Sequence, residues 1–294
     1  MIFNLGSINI DHIYRVPHFP APGETLLSES YSKGLGGKGA NQSIAIARAG
    51  GQVVHIGAIG DDALWAQDML AKSGVDTSGI AVLEGATGHA IINVDTSGEN
   101  CIVLYAGANV LISEGQISAA LVNAKAGDWL LLQNEANNGP FAAKLARAKG
   151  IKVAYVAAPF EADKVRAMLP LIDLLSVNKV EAAMVCETLG VSEDEIPVDK
   201  LLVTRGRHDI TYRDGANRIM QAAFEVNPVD STGAGDTFMG YFMAEIDRGK
   251  APQEALRMAA AAAALKVTKK GTAEAIPLLE DVAGFIRSSP PKSS

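Results

Sequence analysis

Two carboxylates, Asp230 and Asp236, bracket the turn Gly233-Ala234-Gly235. An apolar stretch with helical spacing follows at once: Phe238, Met239, Tyr241, Phe242 and Ile246. Small residues bring the backbone close to a ligand and leave its N–H groups bare. A helix that begins there adds unpaired N–H donors and the positive end of its dipole, and that combination binds anions, phosphate above all. Asp236 stands at the mouth of this nest, where a carboxylate can take the proton of an attacking hydroxyl. An anion cradle and a base in one turn point to phosphoryl transfer to an alcohol. A glycine loop with an Asp helix cap gives the same local pattern without any chemistry.

The run Gly34-Leu35-Gly36-Gly37-Lys38-Gly39-Ala40-Asn41-Gln42 contains a literal G-x-G-x-x-G at Gly34, Gly36 and Gly39. A dinucleotide fingerprint should follow a buried apolar strand, whereas Ser28 to Lys33 are polar and alternating. A Walker loop fails as well, because Gly39 stands where Ser or Thr should follow the lysine. What remains is a tight turn that carries Lys38 and Asn41 into a helix, as donors suited to a polyhydroxy ligand.

Ligands of open α/β sheets bind beyond the carboxyl ends of strands. Asn9 and Asp11 follow the first apolar run and share one side of the chain by strand alternation. Glu135 follows the run Trp129–Leu132 in the same sense. Carboxylates so placed accept hydrogen bonds from sugar hydroxyls; for each residue alone, a loop cap is an equally good reading. Asn178 and Glu181 open a helix with N-x-x-E spacing, which puts both on its first turn. A glutamate there can hold Mg²⁺ through water, although a plain capping box explains the spacing more simply. Thr204-Arg205-Gly206 is a phosphate-loop candidate of similar weight.

Positioning these groups requires a sheet. From residue 110 onward, short apolar runs (129–132, 153–156, 172–177, 201–204) alternate with helical patterns (141–149, 162–169, 180–189) closed at Gly150 and Gly190. Residues 53–59 and 63–72 extend the alternation backwards, and Ile2 to Ile8 is another candidate core strand. Continuous apolar strands alternating with helices predict an α/β fold with a parallel sheet covered on both faces. Two segments break the rhythm: residues 11–36, with Pro17, Pro20, Pro22 and strand-like alternation from Thr25 to Tyr31, and residues 87–106, which read as a hairpin turning at 95–100. Both suit a small β lid that would exclude water from a transfer site.

The chain of 294 residues holds one large domain or two. Its 48% apolar and 20% charged content is that of a soluble globular protein. A net charge of −7 excludes a nucleic-acid binder that works by broad electrostatics, and leaves room for a nucleotide held by a local nest and Mg²⁺. Cys101 and Cys186 offer no disulfide framework and suit a reducing cytosol. The amino terminus shows neither basic region nor cleavage site of a signal peptide. Met258 to Leu265, the longest apolar tract, is too short to span a bilayer, and the histidines lack metal-ligand spacing. A cytoplasmic protein with no membrane or nucleic-acid partner is expected, with a tail from Arg287 to Ser294 that frays.

Taken together, 36–42 and 230–238 resemble the two signatures of the ribokinase-like (phosphofructokinase B type) carbohydrate kinases, in the same order and at similar separation. Residues 6–11, 57–62, 178–181 and 204–206 are similar to that family too, so the resemblance covers nearly the whole chain. It implies a three-layer α/β/α sandwich with a mostly parallel central sheet, a core of 1–10, 37–86 and 107–294, and a β lid of 11–36 and 87–106 that pairs with its twin in a homodimer. It implies ATP-dependent phosphorylation of the primary hydroxyl of a small sugar, ribose first; fructose, deoxyribose and nucleosides are the alternative acceptors, and a non-catalytic sugar- or nucleotide-binding regulator is a further one.

The resemblance also implies roles. Asp236 is the base, and Gly233, Ala234 and Gly235 form the anion hole. Asn9, Asp11, Gly37, Lys38, Asn41, Glu135 and Asp236 contact the sugar. Asn178, Thr204, Gly206 and Gly235 meet ATP, and Glu181 organises Mg²⁺. A monovalent cation, usually K⁺, sits beside the anion hole on the Asp230 side chain and carbonyls near Thr232, Lys266, Lys269 and Gly271. Ala275 stands where the family often carries a serine hydroxyl near that ion, and 133–138 is more polar than the family pattern.

Overall fold

Strand β1 (Ile2–Leu5) shows how the central sheet is buried on both faces. Ile2 packs into one apolar cluster, while Phe3 and Leu5 enter the other on the opposite side. Trp129 and Leu131 of β8 (Trp129–Leu132) divide from Leu130 and Leu132 in the same way, as the period-two alternation of strand side chains requires. The computed structural model describes residues 1–288; residues 289–294 of the expected frayed tail lie outside the described residues.

The first half of the chain adds β2 (Asn9–Arg15), β3 (Ser30–Gly36), α1 (Lys38–Arg48), β4 (Val53–Gly60), α2 (Leu64–Lys72), β5 (Asp76–Leu83), β6 (Gly88–Val94), β7 (Asn100–Tyr105) and α3 (Glu114–Ala120). After β8 come α4 (Gly139–Ala148), β9 (Lys152–Val156), α5 (Ala162–Met168), β10 (Leu174–Asn178), α6 (Lys179–Leu189) and β11 (Lys200–Thr204). The chain then continues through β12 (Asp209–Asp214), β13 (Asn217–Ala222), α7 (Ala234–Asp247), α8 (Pro252–Val267) and α9 (Leu279–Ser288). Among the described residues the strands form two sheets, ordered β13-β12-β11-β10-β9-β8-β1-β4-β5 and β3-β2-β6-β7. Helices α1, α7 and α8 pack on the face of Ile2, and α4, α5 and α6 on the face of Phe3. The three layers are those that the alternation of apolar runs and helices predicts.

The large sheet is mostly parallel, as expected: it runs parallel from β5 to β11, and β12 and β13 close its edge as an antiparallel hairpin. Their half-exposed, mixed sequence lacks the continuous apolar run that marks the inner strands. The lid strand is Ser30–Gly36, not Thr25 to Tyr31; it is fixed by full pairing with β2, from Arg15 opposite Ser30 to Asn9 opposite Gly36. The first run does not continue to Ile8. It ends at Leu5, and the chain changes sheets through Gly6, Ser7 and Ile8. The buried Asn109 side chain takes over both backbone groups of Ile8, accepting from its N–H at 2.9 Å and donating to its carbonyl at 3.2 Å. Satisfying the backbone this way lets a buried strand end without a ladder partner. The 87–106 hairpin is observed as the antiparallel pair β6–β7, and β6 also lies parallel to β2.

Candidate active site

The crossing at Gly6 to Ile8 brings the two glycine-rich motifs together. Helix α1 starts behind Gly37, whose φ of 92° is open to glycine alone without strain. A Cβ on Gly39 would lie 2.4 Å from the Gly6 carbonyl carbon, so only glycine lets α1 press its first turn onto the end of β1. Helix α7 starts behind Gly233, at φ 72°, and packs against α1: a Cβ on Gly240 would meet Ala45 at 2.4 Å. Two helix N-termini therefore converge above the carboxyl ends of β1 and β8.

Asp236 lies in the first turn of α7, half-buried. Its carboxylate accepts from Asn41 Nδ2 at 3.1 Å and from Gln42 Nε2 at 2.9 Å. Burial pushes its carboxyl pKa above the usual range, against the opposing pull of Lys38, Gln42 and Asn41. A raised carboxylate held in one orientation is a stronger base than a solvated one. Glu135 follows β8 as expected. Its Oε2 accepts from the Lys38 backbone N–H at 3.1 Å and from the Ser7 hydroxyl, and its Oε1 faces Lys38 Nζ at 3.4 Å. Burial would lower the Lys38 pKa, but Glu135 and Asp236 outweigh it and hold the ammonium charged.

Asp11 points into the same region. Burial lifts its carboxyl pKa to about 7, with Glu135 and Glu274 adding to the rise and Lys38 opposing it. Among the described residues it accepts no hydrogen bond, so it is a free acceptor. Asn9 is buried, and its Oδ1 accepts from Asn109 Nδ2 at 2.8 Å. The sugar-site candidates Asp11, Lys38, Asn41, Glu135 and Asp236 therefore meet in one cluster, while Asn9 and Gly37 shape its wall.

Asn178 and Glu181 form the capping box that their spacing allows. Asn178 Oδ1 accepts from the N–H groups of Val180 and Glu181, and Glu181 Oε2 accepts from the Asn178 N–H at 2.8 Å. Glu181 is not spent by this role. Burial raises its pKa, the Asn178 N–H and Lys38 lower it, and Asp236 raises it further, so its charge is felt within the site. Thr204 and Gly206 line a cavity of about 680 Å³ together with Ser231, Ala234, Gly235 and a set of apolar groups, among them Phe224, Ala260 and Ala264. That size suits a nucleotide or another drug-sized ligand. Asp230 takes one backbone donor on each carboxylate oxygen: Oδ1 accepts from Thr232 N–H at 2.9 Å and Oδ2 from Gly271 N–H at 3.0 Å. Lys266, fully buried, donates from Nζ to the Asp230 carbonyl at 2.9 Å. Lys269 is exposed on the loop that follows.

Further polar residues adjoin these candidates. Gln42, Gln133 and Asn4 form a buried relay behind Asp236: Gln133 Nε2 donates to Gln42 Oε1 at 2.7 Å and to Asn4 Oδ1 at 2.9 Å. Asn4 donates on to Ser43, and Ser43 meets His55 Nδ1 at 2.8 Å. Burial drives His55 down to about 4, so it stays neutral. The signal was a polar residue inside or at the end of an apolar run, in IFNL and WLLLQ. The cavity's alanines and Phe224 gave no signal, because an apolar wall and an apolar core share one composition.

Among the described residues no group of three or more His, Cys, Asp or Glu side chains could hold a metal, no helix is long and apolar enough to cross a membrane, and Cys101 and Cys186 are free. A glycine turn at the N-terminus of α7, a carboxyl raised by burial beside it and a cavity of nucleotide size on an α/β scaffold suit a small-molecule kinase. The sequence pattern of the pfkB family carbohydrate kinases matches residues 1–279, and the chain belongs to that family. Ribokinase of Haemophilus influenzae is 37% identical over 300 residues, spanning 96% of this chain and 97% of the relative. The ribokinase of Cryptococcus neoformans var. grubii serotype A, solved in complex with ADP, has a TM-score of 0.82 at 32% identity, covering 97% of this chain and 99% of its own. Arabidopsis thaliana ribokinase complexed with ribose and ATP has a TM-score of 0.84 at 27% identity, covering 100% and 99%.

Proposed function

We propose that this protein transfers the γ-phosphoryl group of ATP to the primary hydroxyl of a small sugar, D-ribose first, giving ribose 5-phosphate. The observation that carries the reading is Asp236, oriented by two amides from the early motif at the mouth of the α7 N-terminus. The sugar oxygen attacks phosphorus as its proton passes to Asp236, and the bond from phosphorus to the ADP oxygen breaks. The N–H groups of Gly233, Ala234 and Gly235 face the charge that develops on the phosphoryl oxygens. Asp11, Lys38, Asn41 and Glu135 hold the other hydroxyls, with Asn9 and Gly37 shaping the pocket. Thr204 and Gly206 line the nucleotide cavity, and Asn178 fixes the α6 terminus beside the phosphates. Ribokinases dominate the relatives found, and the Arabidopsis structure holds ribose with ATP, which supports ribose as acceptor.

The Glu181 carboxyl, raised by burial and with Oε1 unclaimed, suits a divalent cation. Mg²⁺ bound there would offset the charge of the ATP phosphates. We assign 11–36 and 87–106 to a lid over the core formed by 1–10, 37–86 and 107–294. Every residue of β7 is exposed, including Ile102, Val103, Leu104 and Tyr105. An exposed apolar edge strand favours pairing with a second copy, so we propose a homodimer through the lid. The two free cysteines suit a cytosolic setting.

An ADP-release assay over ribose, 2-deoxyribose, fructose and inosine tests the reading. Ribose should give the highest kcat/KM. Turnover on none of them, with ATP still bound, would overturn the kinase reading in favour of a regulator.

A further inference from the structure

The family resemblance places a dissociable K⁺ beside the anion hole, on Asp230, Thr232, Lys266, Lys269 and Gly271. The groups found there do not fit that ion. Both Asp230 carboxylate oxygens already accept backbone N–H groups, from Thr232 and Gly271. The Lys266 carbonyl accepts from the Lys269 N–H at 3.0 Å, and Ala275 offers no hydroxyl. Above all, a lysine amine already occupies the place; burial pulls its pKa down and Asp230 opposes that pull. The Lys266 side chain is fully buried at the end of α8, its Nζ bonded to the Asp230 carbonyl and 4.0 Å from Asp230 Oδ1.

A buried ammonium persists only where it is paired and hydrogen-bonded, and Asp230 supplies both functions. A second cation on the same carboxylate would meet the repulsion of the first. Asp230 in turn ties the loop at Gly271 to the turn at Thr232, which leads directly into residues 233–235. A charge held at Asp230 therefore braces the segment that presents the anion-hole N–H groups.

We propose that the Lys266 ammonium is the monovalent cation of this site, tethered to the fold and replacing a dissociable K⁺. This rests on the reading of 233–235 as the anion hole. An ammonium is a compact point charge with several donors, and its covalent link makes its effective concentration at Asp230 far higher than any free ion can match. The protein should therefore work without potassium where a resident K⁺ site would make it obligatory.

The test exchanges the whole protein into buffer whose only added cations are Mg²⁺ and tetramethylammonium, which is too large to enter. Initial rates with ATP and ribose and the Tm are then compared with and without KCl at matched ionic strength. Both should hardly respond, with a rate change below the roughly fivefold floor of ordinary ligand coupling. Lys266→Ala should lose activity in potassium-free buffer, and KCl should restore the rate and raise its Tm. Lys266→Met, with the space filled, should lose activity without restoration. Strong K⁺ activation of the unmodified protein with a matching Tm rise would overturn the proposal and leave the kinase reading intact. If Lys266→Ala fails to fold, the unmodified protein decides alone. Were no sugar phosphorylated, the kinase reading would fall, and the Tm response would still report on the cation.

Discussion

The two glycine-rich turns look alike in sequence and do opposite things. In the early motif Gly36, Gly37 and Gly39 are hemmed in from outside, and only Gly34 has room, with its nearest neighbour at 3.8 Å. A Cβ on Gly36 would strike the Asp11 carboxylate at 2.3 Å, one on Gly37 the Ser7 carbonyl oxygen at 2.8 Å, and one on Gly39 the Gly6 backbone. In the late motif a Cβ on Gly235 would meet nothing within 4 Å, and one on Gly233 would come no nearer than 3.6 Å to any neighbour. Glycine in the first turn is demanded by the protein's own packing. In the second it leaves open space over a helix N-terminus, where an anion is favoured. The first turn is closed by packing; the second stays open, as the proposed anion hole needs.

The contrast can be broken most severely at the base. Asp236→Asn keeps the size of the side chain and removes the proton acceptor, so kcat should fall by about 10²- to 10⁴-fold. Nucleotide binding, followed by thermal shift with ADP, should be largely kept. A kcat within tenfold of the parent would refute the base assignment.

Gly235→Ala separates ligand space from packing space. The added methyl has room in the empty protein, and alanine favours a helix by about 1 kcal/mol over glycine, so urea unfolding should show equal or higher stability. Displacing the phosphoryl group by about 1 Å should cost about 10²-fold in kcat/KM. An unchanged kcat/KM would remove residues 233–235 from the anion hole.

Gly39→Ala should do the reverse. Backbone meets backbone there, and overpacking typically costs about 1–3 kcal/mol, which urea unfolding reads directly. Full stability in this variant would mean that α1 can retreat from β1, and that the early turn is less constrained than its geometry implies.

The smallest effect is in the pH dependence of the empty protein. The folded-state pKa of Asp11 is raised to about 7, above its unfolded value near 3.8. Between those values the folded state holds more proton than the unfolded state, so this group's contribution falls as pH rises from 4 to 7. Asp11→Asn should flatten that part of the stability curve. An identical slope in the variant would show that the carboxyl is not raised.

Much of the site was legible because its residues sit in short, dense motifs. Asp236 with its Gly-Ala-Gly turn, Lys38 with Asn41, and Glu135 just past an apolar strand all stand out in the sequence, and the structure brings them together. Gln42 carries no sign of its place in its motif, because its partners Gln133 and Asn4 come from distant parts of the chain. Asn109 gave no local sign that it would replace the ladder partners of Ile8. Nothing local says that a lysine closing an alanine-rich helix turns inward.

By itself the sequence determined the layers, through apolar runs of strand length alternating with helical spacing, and it singled out the chemistry proposed here, through a carboxylate beside a glycine turn. Both are local patterns that a few neighbouring residues encode. Tertiary structure alone decided which amide orients Asp236, where β1 hands over to the lid, which apolar groups line a cavity and which fill a core, and that an ammonium stands beside Asp230. Each of these depends on residues far apart in the chain meeting at hydrogen-bond distance. Only the packing of α1 and α7 over the ends of β1 and β8 sets those distances.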